Sequence, residues 1–251
     1  METILIYGVN PVLEALEAGV ALEVFIAGTR KEDVSIIERL AGKSGIAVRR
    51  VGPSFFAALP KGHQSVAAKV KPAVHAGPEG MLAAAERLGE LPLLVALDGV
   101  QDPRNLGAVM RSAAALGAHG IIIPKRHGAG LGAEAIKASA GAAWDLPVSA
   151  QPNIKYTLDR LKDEGLFVCG AQACGGVAPW ECDMTRPLVL VLGGEEKGLR
   201  RVVSARCDEL LTVPMRGRKN SLNVSVSAGI LLFEVLRQRA AKSKKQGESK
   251  A

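Results

Sequence analysis

The chain has 251 residues, 48% of them hydrophobic, and a formal net charge of +7. That length supports one large domain or two smaller ones, each with its own core. No apolar run approaches the ~20 residues of a membrane span, and METILIYGVN lacks a basic and an apolar leader region, so a cytoplasmic protein without membrane contact is expected.

Between Arg237 and Ala251, six basic residues against Glu248 hold +5 of the charge, so the rest of the chain is nearly neutral. Bulk charge alone therefore does not establish a nucleic-acid partner. Cys169, Cys174, Cys182 and Cys207 show no C-x-x-C spacing. Single buried thiols are expected rather than a disulfide or a metal site, and His63, His75, His119 and His127 lack ligand spacing, so no metal is expected.

Residues 1–72 read as a small α/β unit. NPVLEALEAG is a short helix, with Asn10 as cap and Pro11 at the first helical position. VFIAG is a strand, KEDVSIIERLAGKSG a helix ending at Gly45, IAVRRV a strand, PSFFAALP a short helix and SVAAKV a strand. PAVHAGPEG, with two Pro and two Gly, opens a linker over 73–90 that includes the helix MLAAAERLGE.

From Leu91 strands alternate with helices. LPLLVALDG suits a buried parallel strand. RNLGAVMRSAAALGA is a helix, GIIIP a strand, GAEAIKASAGAA helix-like, LPVSA a strand and IKYTLDRLKDEG an amphipathic helix. LFVCGAQA, PLVLVLGG and LLTVPM are strands, and SLNVSVSAGILLFEVLRQR closes the domain at about residue 240. This is α/β with a mostly parallel sheet. The basic segment 241–251 is poor in apolar residues and is expected to be disordered. Gly128, Gly130 and Gly132 in HGAGLGAEA mimic a dinucleotide fingerprint, but the third glycine comes too early for G-x-G-x-x-G.

Ligands of such sheets sit at the carboxyl ends of strands, where three loops stand out. In DGVQDPRNLGAVMRSA, Asp102-Pro103 starts a helix that is apolar nearly all round. Arg111 lies in its middle, so a buried guanidinium in need of a partner is expected. Its reading stays open between a structural ion pair and a donor aimed into a site, with Asn105 at the helix mouth. In VLGGEEKGLRR, Gly193-Gly194 permits a sharp turn and close backbone approach to a ligand, and Glu195 is a natural partner for Arg111. In VPMRGRKNSLNVSVSAG, a basic loop precedes a segment in which Ser221, Asn223, Ser225 and Ser227 alternate with Leu222, Val224 and Val226. That alternation fits a strand. It also fits a helix capped by Ser221, with small polar groups at its mouth and an apolar row of Leu222, Val226, Ile230 and Phe233.

The three loops, in this order, resemble the motifs of the SpoU/TrmH class of SPOUT methyltransferases. YGVNPVLEAL and GHQSVAAKVKP resemble the small RNA-binding domain, akin to a ribosomal-protein fold, of the bacterial 23S rRNA guanosine-2′-O-methyltransferases. The resemblance implies a C-terminal trefoil knot and a homodimer. It implies an S-adenosylmethionine site over Leu192, Gly193, Gly194, Val213, Met215, Ser221, Leu222 and Asn223. It makes Arg111, Asn105, Glu195, Ser221 and Asn223 the catalytic set, and 23S rRNA the partner. A non-catalytic rRNA-binding factor, another rRNA site and tRNA are the competing readings.

Overall fold

The computed structural model describes residues 3–28, 31–71, 76–217 and 221–248. The first domain holds β1 (Ile4–Tyr7), α1 (Val9–Glu17), β2 (Ala21–Ile26), α2 (Lys31–Lys43), β3 (Ala47–Arg50), α3 (Pro53–Phe56) and β4 (Val66–Val70). Its sheet has the order β1-β4-β2-β3, with β4 antiparallel to both neighbours and β2 parallel to β3. Ile6, Val24, Ile26, Val66 and Ala68 bury one face of the sheet together with Val12 and Leu16 of α1 and Ile37 and Ala41 of α2. On the other side Phe25 stacks on Phe55 and Phe56 on His63, with Phe55 and Phe56 edge to face. Strand β1 is absent from the sequence reading. It has four residues, and what makes it a strand is Ile4 pairing with Val70 at the far end of the domain. Asn10 does not cap α1. The helix starts at Val9 from Gly8, whose φ of 103° turns the chain sharply out of β1.

Helix α4 (Pro78–Leu88) begins inside the expected linker and belongs to the second domain. Met81 is wholly buried in that domain's core with Leu94, Ile122 and Ile154. The second domain therefore starts at Pro78, not at Leu91. After α4 come β5 (Leu93–Asp98), α5 (Pro103–Ala115), β6 (Gly120–Pro124), α6 (Ala133–Ser139), α7 (Ala142–Asp145), β7 (Val148–Gln151), α8 (Ile154–Asp163), β8 (Phe167–Ala171), β9 (Leu188–Gly193), α9 (Arg201–Ser204), β10 (Glu209–Leu211) and α10 (Val224–Glu248). The sheet order is β10-β8-β9-β5-β6-β7 and every pairing is parallel, so all the carboxyl ends share one edge. Strand β5 is buried throughout, as an apolar run between two helical layers requires.

The helix-like GAEAIKASAGAA breaks in two. Ala140 and Gly141 take φ of 47° and 85° and separate α6 from α7. Helices α5 and α6 approach so closely that a Cβ on Gly107 would lie 2.4 Å from the Ala135 carbonyl oxygen. Helix α6 also carries an interdomain contact: Lys137 Nζ donates to the Gly62 carbonyl at 3.0 Å and sits 5.1 Å from the centre of the Tyr7 ring.

The end of the chain differs from expectation. Helix α10 continues to Glu248, so 241–248 is helical rather than disordered, in keeping with the helix-forming Ala, Lys and Gln of AAKSKKQ. Along α10, Val226, Ile230, Phe233 and Leu236 are exposed, Phe233 by 57%. The expected apolar row is therefore a surface stripe and not part of the core. The thiols are also not uniformly buried: Cys174 is exposed, and the buried Cys169 and Cys182 lie with their sulfurs 3.7 Å apart.

Candidate active site

The carboxyl ends of β8, β9 and β10 open on a cavity of about 530 Å³, within the range of small-molecule sites. Leu192, Gly193, Gly194, Glu195, Val213, Met215, Ser221 and Leu222 line it, together with Ser227 and Leu231 of α10. Asn223 does not line it. The loop after β8, Gln172, Ala173 and Cys174, forms a wall that the sequence reading lacked. Its only signal was position: it follows a strand whose neighbours in the sheet carry the other two loops.

The β9 loop has little freedom. A Cβ on Gly193 would lie 2.1 Å from the Gly198 carbonyl carbon, and one on Gly194 would lie 2.4 Å from the Gly99 carbonyl oxygen. The loop is also tied to the end of β5. Asp98, with a fully buried carboxylate, accepts from the Arg200 backbone N–H at 2.9 Å and from Arg200 Nε at 2.7 Å. Its carbonyl accepts from Gly194 N at 3.0 Å. Asp98 and Arg200 were not picked out in sequence, although an Asp ending an otherwise apolar strand was the available signal.

These ties present Glu195 to Asn105. Asp102 caps α5 as expected, accepting from Arg104 N at 2.8 Å, and so places Asn105 in the first turn. Helix α10 starts at Val224, so Ser221 is no cap. Asn223 takes that role: its Oδ1 accepts from Ser225 N at 2.8 Å and Ser225 Oγ at 2.6 Å. Because Oδ1 is committed to these donors, Asn223 Nδ2 is left to donate, and it does so to Asn105 Oδ1 at 3.1 Å. Asn105 Nδ2 in turn donates to the Glu195 carboxylate. The helix end thus sets the polarity of a hydrogen-bonded chain, Ser225–Asn223–Asn105–Glu195, at the lip of the cavity. The strand-like alternation of the sequence resolves into an extended Ser221–Asn223 followed by a helix.

Replacing Asn223 by Ala removes this cap and uncouples Asn105. A loss of about 1 kcal/mol in stability is expected from the cap, with a fall of about tenfold or more in turnover at this site. Denaturant melts and single-turnover rates of the variant measure the two effects separately. A variant that only melts earlier and turns over normally would make Asn223 structural.

Arg111 departs from expectation. It is exposed, not buried, because α5 buries only the stripe of Leu106, Gly107, Val109, Met110 and Ala113. It makes no ion pair with Glu195. Its charge instead acts on Glu14 of α1: burial raises the carboxyl of Glu14 above the usual range, and Arg111 partly offsets that rise. The chain therefore brings together Asn105, Glu195 and Asn223 directly, with Ser221 on the cavity wall. Arg111 stands further along α5, facing outward.

The chain thus has two domains, a parallel sheet with a cavity at its carboxyl edge, and a small domain docked on α6. The SpoU rRNA methylase family model matches residues 92–233, and the RNA 2′-O ribose methyltransferase substrate-binding model matches residues 5–75. The chain belongs to the SpoU rRNA methylase family. It is 44% identical over 244 residues to a protein of Mycolicibacterium paratuberculosis named as an uncharacterized tRNA/rRNA methyltransferase, covering 95% of this chain and 78% of that one. A Mycobacterium tuberculosis protein of the same name is also 44% identical, with 95% and 75% covered. Among solved structures, the SpoU methyltransferase AviRb from Streptomyces viridochromogenes, in complex with the cofactor AdoMet, superposes with a TM-score of 0.79 at 25% identity, covering 95% of this chain and 91% of that one. A second solved structure, an RNA 2′-O ribose methyltransferase, gives 0.73 at 26% identity, over 95% and 89%.

Proposed function

We propose that the protein transfers a methyl group from S-adenosylmethionine to the ribose 2′-hydroxyl of a guanosine in 23S rRNA, in the P loop of the peptidyl-transferase centre. The observation that carries this reading is the Asn223–Asn105–Glu195 chain at the lip of a cavity, in a chain whose first domain matches the RNA substrate-binding model. The cavity fits the methyl donor: leucine, valine and methionine side chains supply apolar walls for a nucleoside, and the clamped glycine loop exposes backbone groups to its polar edges. Leu192, Gly193, Gly194, Val213, Met215, Ser221 and Leu222 would hold it.

When bound, S-adenosylmethionine supplies an electrophilic methyl group. The chain's own task is then to orient the hydroxyl and manage its proton. Glu195, held by Asn105, orients the ribose. Arg111 is a donor-only guanidinium, suited to stabilising the alkoxide that develops on O2′, while water or an RNA phosphate accepts the proton. The exposed stripe of Val226, Ile230, Phe233 and Leu236 supports a homodimer through α10. The return of the chain from β9 to β10, on the far side of β8, supports the trefoil knot. Such an enzyme works in the cytoplasm with its RNA.

The guanosine and the P loop rest on the likeness of the first domain and the third loop to the 23S rRNA enzymes. A second reading, another rRNA site or tRNA, draws on the relatives' names, which cover both RNAs. Mapping 2′-O-methyl sites on total RNA from cells with and without the protein is expected to show one missing methyl in the P loop. A methyl missing from tRNA instead would overturn the proposed target. Calorimetry with S-adenosylmethionine is expected to show uptake, and none would return the reading to a non-catalytic RNA binder.

A further inference from the structure

The carboxyl edge of the large sheet divides in two. The loops after β8, β9 and β10 surround the cavity, and β5 delivers Asn105. The loops after β6 and β7 lie on the other side of β5 and take no part in the cavity. They carry Lys125, Arg126 and His127, all exposed, and then Lys155 and Tyr156 in the first turn of α8. The two loops are joined to each other and to the catalytic loop. Lys125 N donates to the Gln151 carbonyl at 2.8 Å, and Ala129 N donates to the Val100 carbonyl at 2.7 Å. The Gly-rich HGAGLGAEA segment thus serves as a brace. Gly128 packs where a Cβ would meet the Pro124 ring at 2.5 Å, which holds the basic triplet at the sheet edge.

Charge pairing varies over the surface, and this strip is among the regions whose cations have no acidic partner. Arg50, Arg104 and Arg160 are matched by Glu38, Asp102 and Glu79. Among the described residues, the side chains of Lys125, Arg126 and Lys155 form no ion pair. Tyr156 is 61% exposed, and Lys155 lies 5.0 Å from the centre of its ring. It stands on α8, a different element from the apolar stripe of α10. Cations without acidic partners beside an exposed aromatic ring are the pattern of a single-stranded nucleic-acid track, where phosphates meet cations and a base stacks on the ring.

We propose that the RNA strand flanking the target nucleotide crosses the sheet edge over β6 and β7, with Lys125, Arg126 and Lys155 at its phosphates and a base on Tyr156. This rests on the RNA-methyltransferase reading and adds to it a path on the catalytic domain, away from the methyl donor. It accounts for a catalytic site that lies beside β5, midway along the edge. The RNA would be held on one half of the edge and the donor on the other.

The test compares wild type with the Lys125→Ala/Arg126→Ala/Lys155→Ala triple variant, Tyr156→Ala and Tyr156→Phe. Binding of in vitro transcribed 23S rRNA and of total tRNA is measured across salt concentrations, together with methyl transfer. In the triple variant the slope of log affinity against log salt is expected to fall by about 2, from about 0.7 per single-strand phosphate contact. Its KM for RNA should rise at least about tenfold while kcat and S-adenosylmethionine affinity hold. Tyr156→Ala is expected to bind about tenfold more weakly, with Tyr156→Phe close to wild type. Ultraviolet cross-linking of the wild-type protein should place a nucleotide on Tyr156. An unchanged slope and affinity in the triple variant overturns the track, and equal binding by Tyr156→Ala and Tyr156→Phe overturns the stacking. If wild type methylates no RNA, the functional reading fails, while the binding comparison still decides the track.

Discussion

Arg111→Ala is expected to lower methyl transfer by about 10²–10³-fold, the loss that follows removal of one preorganised donor from a developing oxyanion. S-adenosylmethionine affinity should stay within about twofold of wild type, because Arg111 is not among the residues lining the cavity. Stability should change by less than about 1 kcal/mol, since Arg111 is exposed and only partly offsets the rise at Glu14. Arg111→Lys keeps the charge but not the fork of donors, and is expected to recover only part of the rate. Single-turnover methylation, calorimetry and thermal melting read the three quantities independently. Near-normal turnover in Arg111→Ala would remove Arg111 from the mechanism and leave Glu195 as the group nearest the hydroxyl.

Gly193→Ala acts on the other half of the site. The added methyl would lie 2.1 Å from the Gly198 carbonyl carbon and 2.3 Å from Leu199 N. Both are backbone atoms, so the loop must open rather than a side chain rotate. Overpacking of this kind costs about 1–3 kcal/mol. Because the loop forms a cavity wall and presents Glu195, the cost is expected to appear as S-adenosylmethionine binding weakened about 10–100-fold. Gly132→Ala is the control, since a Cβ there meets nothing within 4 Å, and its affinity should match wild type. Tight binding in Gly193→Ala would mean that the cavity wall tolerates movement and that the clamp by Asp98 and Arg200 does not shape it.

Much of this protein was legible in one dimension. Strands such as LPLLVALDG and PLVLVLGG announce buried parallel pairing because no polar residue interrupts them. Asp102-Pro103 marks the start of α5, because an acceptor side chain and a preset φ are local properties. The glycines at 193 and 194 signal a close approach whatever lies opposite. Where the reading failed, the deciding interaction was distant. Strand β1 exists because Ile4 meets Val70. Pro78–Leu88 is part of the second domain because Met81 finds Leu94 and Ile122. Arg111 looked buried because alanines surround it, yet alanine is compatible with either face of a helix, and only the packing of α5 against α6 and α10 chose which face was covered.

By itself the sequence determined the class of fold, the order of the elements and the three loops that carry chemistry, since these follow from periodicity, caps and the conformational reach of Gly and Pro. Only the tertiary structure decided that Asn223 rather than Ser221 caps α10, and that Asn223, Asn105 and Glu195 form one directed chain. It alone joined Asp98 to Arg200 across the sheet edge. Hydrogen bonds between residues a hundred positions apart depend on strand order and helix docking. Neither leaves a periodic trace in the chain, because each is set by how whole faces bury against one another.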